Sequence, residues 1–323
     1  MAKTRYAPDR GLTARMTLTM FLLGVVFVAF ITALVLILGA TNKVSSGGIV
    51  FIAVLFGLAL TVGSFWYSDK IALSTARAVV VGPQDSPGAA RLHGIVDRLV
   101  ALANMPKPRL AIAPSPMLNA FATGRNEKTS VLVVTTGLLN NPSLDDRELE
   151  AILAHELSHV AHKDVAVMTI ASFLGIIAGL LVRFAFYSEL FGGGGRGRGG
   201  NNNNGGALPV VLIVLVVGIV TYAVSFLLIR LLSRYRELAA DRAGALLTGQ
   251  PSALASALQK VSGSMQGIPN KDLRTAEPLN AFYFVPAFKA GGKGLSLNGL
   301  FSTHPSLERR LRQLSEISDQ LSR

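Results

Sequence analysis

The chain has no cysteine and little charge. The missing thiols exclude disulfide frameworks, thiol nucleophiles and thiolate metal sites together, leave His, Asp and Glu as the strong metal ligands, and leave the redox compartment unreadable. Charged residues make up 15% of the 323 positions, where an ordinary soluble domain carries about 25%. Half the residues are hydrophobic, so an intrinsically disordered chain is excluded and a purely soluble globule is disfavoured. Acidic residues are the scarcer sign, 19 against 31 basic ones, which gives a formal charge of +12.

What is present is long apolar sequence. The charge-free run 16–42 is long enough at about 1.5 Å per residue to cross a hydrocarbon core of about 30 Å. A cleaved signal peptide has an apolar stretch of only about 7–15 residues, so a transmembrane helix is expected instead. A second charge-free stretch, 44–68, follows a Ser/Gly turn and ends in Trp66 and Tyr67, which suit an interfacial belt. Two further apolar segments, 165–182 (closed by Arg183) and 207–229, flank a Gly/Asn-rich loop at 192–206. That composition reads as a flexible turn, and Arg196 and Arg198 within it do not make an RNA-binding tract. Lys3, Arg5, Arg10 and Arg15 precede the first run, Lys43 alone lies in the hairpin turn, and Lys70 and Arg77 follow the second. This asymmetry predicts a cytoplasmic N-terminus and cytoplasmic non-membrane halves. The basic excess then points to anionic membrane lipids as partners and not to nucleic acid.

Outside these runs the pattern predicts a mainly α-helical chain with a small β-sheet. Leu92, Ile95, Val96 and Leu99 give a helix over 89–102, and short strands are expected at 109–113, 120–123 and 130–136, with a turn at 124–128. A helix capped by Ser143, with Asp146 three residues on, follows; its stripe of Leu149, Ile152, Leu153, Leu157 and Val160 runs on to the third apolar segment.

On that helix stands His155-Glu156-Leu157-Ser158-His159, a match to H-E-x-x-H. Residues four apart share a helix face, so both imidazoles can reach one Zn2+ while the glutamate between them serves as general base to an activated water. Catalytic zinc needs a third protein ligand. His162 lies two turns, roughly 10 Å, from His155 and is too far to share the ion. The metzincin pattern, with Gly at 162 and His at 165, is absent, since the chain has His162 and Val165. The better ligand is Glu237 in Arg236-Glu237-Leu238-Ala239-Ala240-Asp241, with Asp241 one turn later placed to bond the far nitrogen of a ligand histidine. Ala239, Ala240, Ala243 and Ala245 imply close helix packing there.

The order and spacing of these pieces resemble the HtpX-type membrane zinc endopeptidases, relatives of the CAAX prenyl proteases. The resemblance is carried by the paired N-terminal spans, Asn119-Ala120-Phe121-Ala122-Thr123-Gly124, Ala154 to His159 with Asp164 five residues on, Glu237 to Asp241, and Ser302-Thr303-His304-Pro305 with Arg310. It implies a zincin-like α+β catalytic domain, one zinc per chain on His155, His159 and Glu237, and Glu156 as general base. Asp164 joins Asp241 as support for the ligands. It further implies that His304 and Arg310 steady the oxyanion or hold substrate, and that Asn119, Ala120 and Phe121 form the edge against which an extended substrate lies. Read from the residues alone, His304-Pro305 can also be a helix-opening turn, with Arg309 and Arg310 facing phosphate or solvent. The long Gly/Asn insertion departs from the family pattern and bears on the connection between segments, not on the metal site.

The expected division is a cytoplasmic N-terminal segment 1–15, a transmembrane hairpin 16–68, a first catalytic half 69–164, two hydrophobic segments with their loop at 165–232, and a second catalytic half 233–323. His155 and Glu237 can share an ion only if the chain between them crosses the membrane an even number of times, so 165–182 and 207–229 either both traverse or form a re-entrant hairpin. The expected activity is zinc endopeptidase at the cytoplasmic face of the cell membrane. Its partners are lipids and misfolded or damaged membrane proteins, and the family supplies a role in quality control and stress response. The rivals are a CAAX-like peptidase, which has more spans, and a non-catalytic zinc-stabilised scaffold, which has no need of Glu156.

Overall fold

The structure, a computed structural model, describes residues 10–40, 44–173, 176–177, 179–180, 207–265 and 304–323. Lys3, Arg5, Lys43, Arg183, the loop 192–206, Ser302 and Thr303 lie outside them. In chain order the first elements are α1 (Arg10–Ala40), α2 (Val44–Trp66), α3 (Ser68–Ala76), β1 (Val79–Val80), α4 (Pro87–Ala103), β2 (Arg109–Ala113), β3 (Ala120–Thr123), β4 (Val131–Thr135) and α5 (Thr136–Leu139). There follow α6 (Asp146–Ala161), α7 (Asp164–Phe173), α8 (Ala207–Thr248), α9 (Pro251–Met265) and α10 (Leu307–Leu321).

Two stretches are long and apolar enough to cross a membrane, Thr13–Phe30 of α1 and Leu215–Thr248 of α8. Leu55–Trp66, the part of α2 whose side chains are described, and α7 are apolar over shorter stretches; two of the four expected segments meet the criterion among the described residues. The chain divides into two compact units. One holds Ala14–Ser64 and Met168–Leu232; its described residues form apolar helices, with the rings of Phe27 and Phe173 6.0 Å apart. The other holds Met1–Thr13, Phe65–Val167 and Ser233–Arg323 and contains the sheet.

The sheet order is β1-β2-β4-β3. β2 and β4 run parallel, while β1 and β3 pair antiparallel at either side. β4 reads Val-Leu-Val-Val-Thr and is buried at every position, as expected of a strand covered on both faces. Leu132 and Val134 point into the main core with α4, α6 and α9, while Val131, Val133, Ala111 and Phe121 pack with Ala72 of α3. Strand β1 was not foreseen, since two exposed valines carry no alternation. The β3–β4 turn holds Gly124 at φ 138, a backbone region that L side chains rarely adopt, followed by a short 3-10 turn over Glu127–Thr129.

The helix of the H-E-x-x-H motif starts differently from the expected cap. Asp145, not Ser143, is the cap: its carboxylate accepts the Glu148 N–H at 2.8 Å and Glu148 Oε2 accepts the Asp145 N–H at 3.0 Å. The Ser143 N–H instead donates to Asn141 Oδ1, which turns the chain before the helix begins. Nor does α6 run on into the third apolar segment: it breaks at His162 and Lys163, the latter at φ 58. Glu148 also ties α6 to α9, accepting from Ser256 and Lys260.

Burial pushes the Glu148 carboxyl up, but the bonds from Lys260, Ser256 and Asp145 prevail and hold it below its ordinary 4.5. A carboxyl lowered in the folded state contributes stability that is present above the unfolded value and lost as pH falls through the folded one. Glu148→Gln is therefore expected to lower stability by about 1–3 kcal/mol at neutral pH. Thermal unfolding in detergent should show the deficit at pH 7 and shrink it below pH 4.5; an equal deficit at both pH values would remove the linkage.

Candidate metal centre

Helical spacing brings the two imidazoles of α6 together, with ring centroids 5.0 Å apart and planes at 87°. Each ring turns one nitrogen to an aspartate. His155 Nδ1 lies 2.9 Å from Asp241 Oδ1, and His159 Nδ1 bonds Asp164 Oδ2. The other nitrogens face Glu237: His155 Nε2 is 3.6 Å from Oε2 and His159 Nε2 is 3.6 Å from Oε1. One donor atom from each of His155, His159 and Glu237 falls within 4.8 Å of the others. A tetrahedral zinc with bonds of about 2.1 Å keeps its ligand atoms roughly 3.4 Å apart, so the 3.6 Å separations fit a single ion. Two imidazoles and a carboxylate are also the donor set of hydrolytic zinc sites.

Asp164 reaches His159 because the helix is broken. On a continuous helix a residue five positions on sits about 140° around the axis from its partner. The left-handed Lys163 folds the chain back so that the carboxylate meets the ring. On the other side, Arg310 is 2% exposed and forks onto Asp241, with Nε to Oδ2 at 2.7 Å and Nη2 to Oδ1 at 2.6 Å. His304 Nδ1 lies 3.1 Å from Glu237 Oε2. The helix-opening turn is real, since Ser306 caps α10, but Arg310 faces neither solvent nor phosphate.

Burial lowers the His155 imidazolium, yet the carboxylates of Asp241 and Glu237 beside it outweigh that and raise its pKa to about 9. Burial also raises the Glu156 carboxyl, as does nearby Glu237, against the pull of His155, His159 and the Ala122 N–H that donates to it. A buried glutamate with a raised pKa suits a group that takes up and returns a proton. Ala122 belongs to β3, which ends the sheet order among the described residues, so this bond sets the Glu156 carboxylate beside that strand. Asn119, Ala120 and Phe121 are all buried along it.

Two contributors escaped the sequence reading. Gly244 lies among the small residues noted on α8, and a Cβ there would meet the His155 backbone at 2.9 Å and 3.2 Å. Its missing side chain lets α8 touch α6 at His155. Arg236, next to Glu237, has its Nη2 2.8 Å from Asp164 Oδ2. The run of alanines signalled the first; only adjacency to the ligand hinted at the second.

A helix-borne imidazole pair, a carboxylate from a second helix and a buried glutamate between them define a metallopeptidase, and the profile of Peptidase family M48 matches residues 87–318. The chain is similar to protease HtpX homolog 1 of Streptomyces coelicolor, 54% identical over 319 residues that cover 99% of this chain and 97% of the relative. It is similar also to a protease HtpX homolog of Moorella thermoacetica, 47% identical over 314 residues covering 97% and 96%. Among solved structures, the crystal structure of S. mikatae Ste24p aligns with a TM-score of 0.49 and 18% identity, covering 95% of this chain and 66% of that one. The chain belongs to peptidase family M48, among its HtpX-type proteases.

Replacing Gly244 by Ala forces α8 off the His155 backbone. Zinc affinity is expected to fall about tenfold or more, while Gly263→Ala on α9, where nothing lies within 4 Å, leaves it unchanged. Competition with a chromogenic chelator reads both; unaltered affinity in the Gly244 variant would show that this approach does not set the site.

Proposed function

We propose that the chain is a membrane-bound zinc endopeptidase that hydrolyses peptide bonds in cytoplasmic segments of misfolded or damaged membrane proteins, in quality control. The observation that carries the reading is the convergence of His155, His159 and Glu237 within 4.8 Å, with Glu156 buried on the same helix between the imidazoles. These three residues hold one zinc ion per chain. When bound, zinc supplies a Lewis acid that polarises a peptide carbonyl and makes water acidic enough to attack near neutral pH.

Glu156 takes the proton of the attacking water and passes it to the leaving amine. Asp241 and Asp164 keep the Nδ1 protons of His155 and His159 in place, so that each Nε2 lone pair is available for ligation. The outer edge of β3, from Asn119 through Ala120 and Phe121, orders an extended substrate as an added strand. The bond from Ala122 to Glu156 keeps that strand and the base in register. His304, beside Glu237 Oε2, stabilises negative charge developing on the carbonyl oxygen, whereas Arg310 acts through Asp241.

The membrane reading is supported by the long apolar stretches of α1 and α8; the multi-pass topology through 16–68 and 165–232 follows from the apolar runs of the sequence. Arg10, Arg15, Lys70 and Arg77 flank the first two segments on the expected cytoplasmic side. Trp66 and Tyr67 are exposed where α2 ends, with Arg125 4.5 Å above the Trp66 ring and Lys70 5.3 Å from Tyr67, as suits an interface of lipid headgroups.

Glu156→Gln is expected to lower casein cleavage by about 10²–10⁴-fold in kcat/KM while zinc content and fold are kept. A zinc-loaded, folded wild type that is as inert as the variant would favour the scaffold over the peptidase.

A further inference from the structure

Asp164 carries two partners on one oxygen. Its Oδ2 accepts the Nδ1–H of His159 and also lies 2.8 Å from Arg236 Nη2. An ionised carboxylate only accepts hydrogen bonds, so both nitrogens act as donors to it. The side chains of Arg236 and Asp164 are 11% and 4% exposed, so this is an interior ion pair and not a solvated one. Across the site the same order of groups recurs: Arg310 forks onto Asp241, and Asp241 meets His155 Nδ1. The arginines come from different places, Arg236 from α8 itself and Arg310 from α10.

We infer that Arg236 is a positioning residue for His159, acting through Asp164, and that it completes a pair of arginine–aspartate–histidine chains orienting both imidazoles of the metal centre. The inference rests on the reading of the site as a metal centre. Three physical points support it. A buried carboxylate with one hydrogen-bond partner is free to turn; the guanidinium on the same oxygen fixes its orientation toward the His159 ring. A carboxylate held on Nδ1 leaves Nε2, 3.6 Å from Glu237 Oε1, as the nitrogen for the ion. Finally, Arg236 is the residue before Glu237, so the bond to Asp164 sets the position of α8 beside the chain that leaves α6, and the adjacent carboxylate is delivered with it.

A residue with a purely structural role would change stability and leave the folded protein's metal affinity alone, which separates the two possibilities. The full-length chain in detergent would be prepared as wild type, Arg236→Gln, Arg236→Lys, Asp164→Asn and the Arg236→Gln/Asp164→Asn double variant. Zn2+ affinity is read by competition with a chromogenic chelator, the visible spectrum of Co2+ reports ligand geometry, and circular dichroism reports fold. Arg236→Gln should weaken Zn2+ binding by about 10–100-fold and alter the Co2+ spectrum, with Arg236→Lys recovering part of the loss. Because Arg236 acts through Asp164, the double variant should bind no more weakly than Asp164→Asn alone. Folded Arg236→Gln with affinity within about threefold of wild type, or losses that multiply in the double variant, would overturn the inference. If Arg236→Gln does not fold, Arg236→Lys carries the test, and wild-type affinity and spectrum there overturn it. A wild type that binds no ion removes the reading of the site and this inference together, whereas normal wild-type binding with an unaffected Arg236 variant removes the inference alone.

Discussion

Two histidines on one helix can share an ion only when each turns a ring-nitrogen lone pair to the same point. An imidazole is free to rotate and to exchange tautomers, and either movement would turn a lone pair away. Asp241 and Asp164 remove that freedom by taking the Nδ1 atoms of His155 and His159. The Nε2 atoms are then left facing Glu237. Most other features around the centre serve to hold these two carboxylates still.

Holding them is costly, because an ion withdrawn from water loses several kcal/mol of solvation unless a partner and further hydrogen bonds replace it. Asp241 is fully buried and meets a forked Arg310, itself 2% exposed. Asp164 meets Arg236 and reaches His159 through a left-handed Lys163, a conformation unfavourable to a side-chain-bearing residue. Such a network tolerates little movement, so its frame must be rigid. That frame is apolar: Leu149, Ile152, Leu153 and Leu157 of α6 are in the main core with residues of α4, β4 and α9, and Gly244 lets α8 lie directly on the His155 backbone. The Glu148 cluster fastens the other end of α6 to α9.

Much of this could be read before any coordinates. Histidines four apart on an amphipathic helix announce themselves, and a Glu followed by an Asp one turn later among alanines suggests a second helix packed close by. The strands at 109–113 and 120–123 were legible because prolines and glycines bound short β-branched or apolar runs. Other features were not. The resemblance assigns Arg310 with His304 to the oxyanion or substrate, and its bond to Asp241 was not foreseen, because no local pattern reveals a partner 69 residues earlier in the chain. The break at Lys163 was missed since neither glycine nor proline marks it, and the geometric demand of Asp164 on His159 is a tertiary fact. The Asp145 cap was missed because Ser143, with Asp146 three residues on, presents the same spacing two residues earlier. Gly244 looks in sequence like one more small residue, and only its distance to the His155 backbone gives it a purpose.

X-ray absorption spectroscopy on the zinc-loaded, full-length protein in detergent bears most directly on whether these side chains form one coordination sphere. One tightly held zinc per chain is expected, with imidazole scattering from two rings at about 2.0–2.1 Å and a carboxylate oxygen at a similar distance. Replacing His159 by Ala should remove one imidazole contribution. Zinc bound without imidazole scattering, or an imidazole count that does not change in that variant, would contradict a shared ion between α6 and α8.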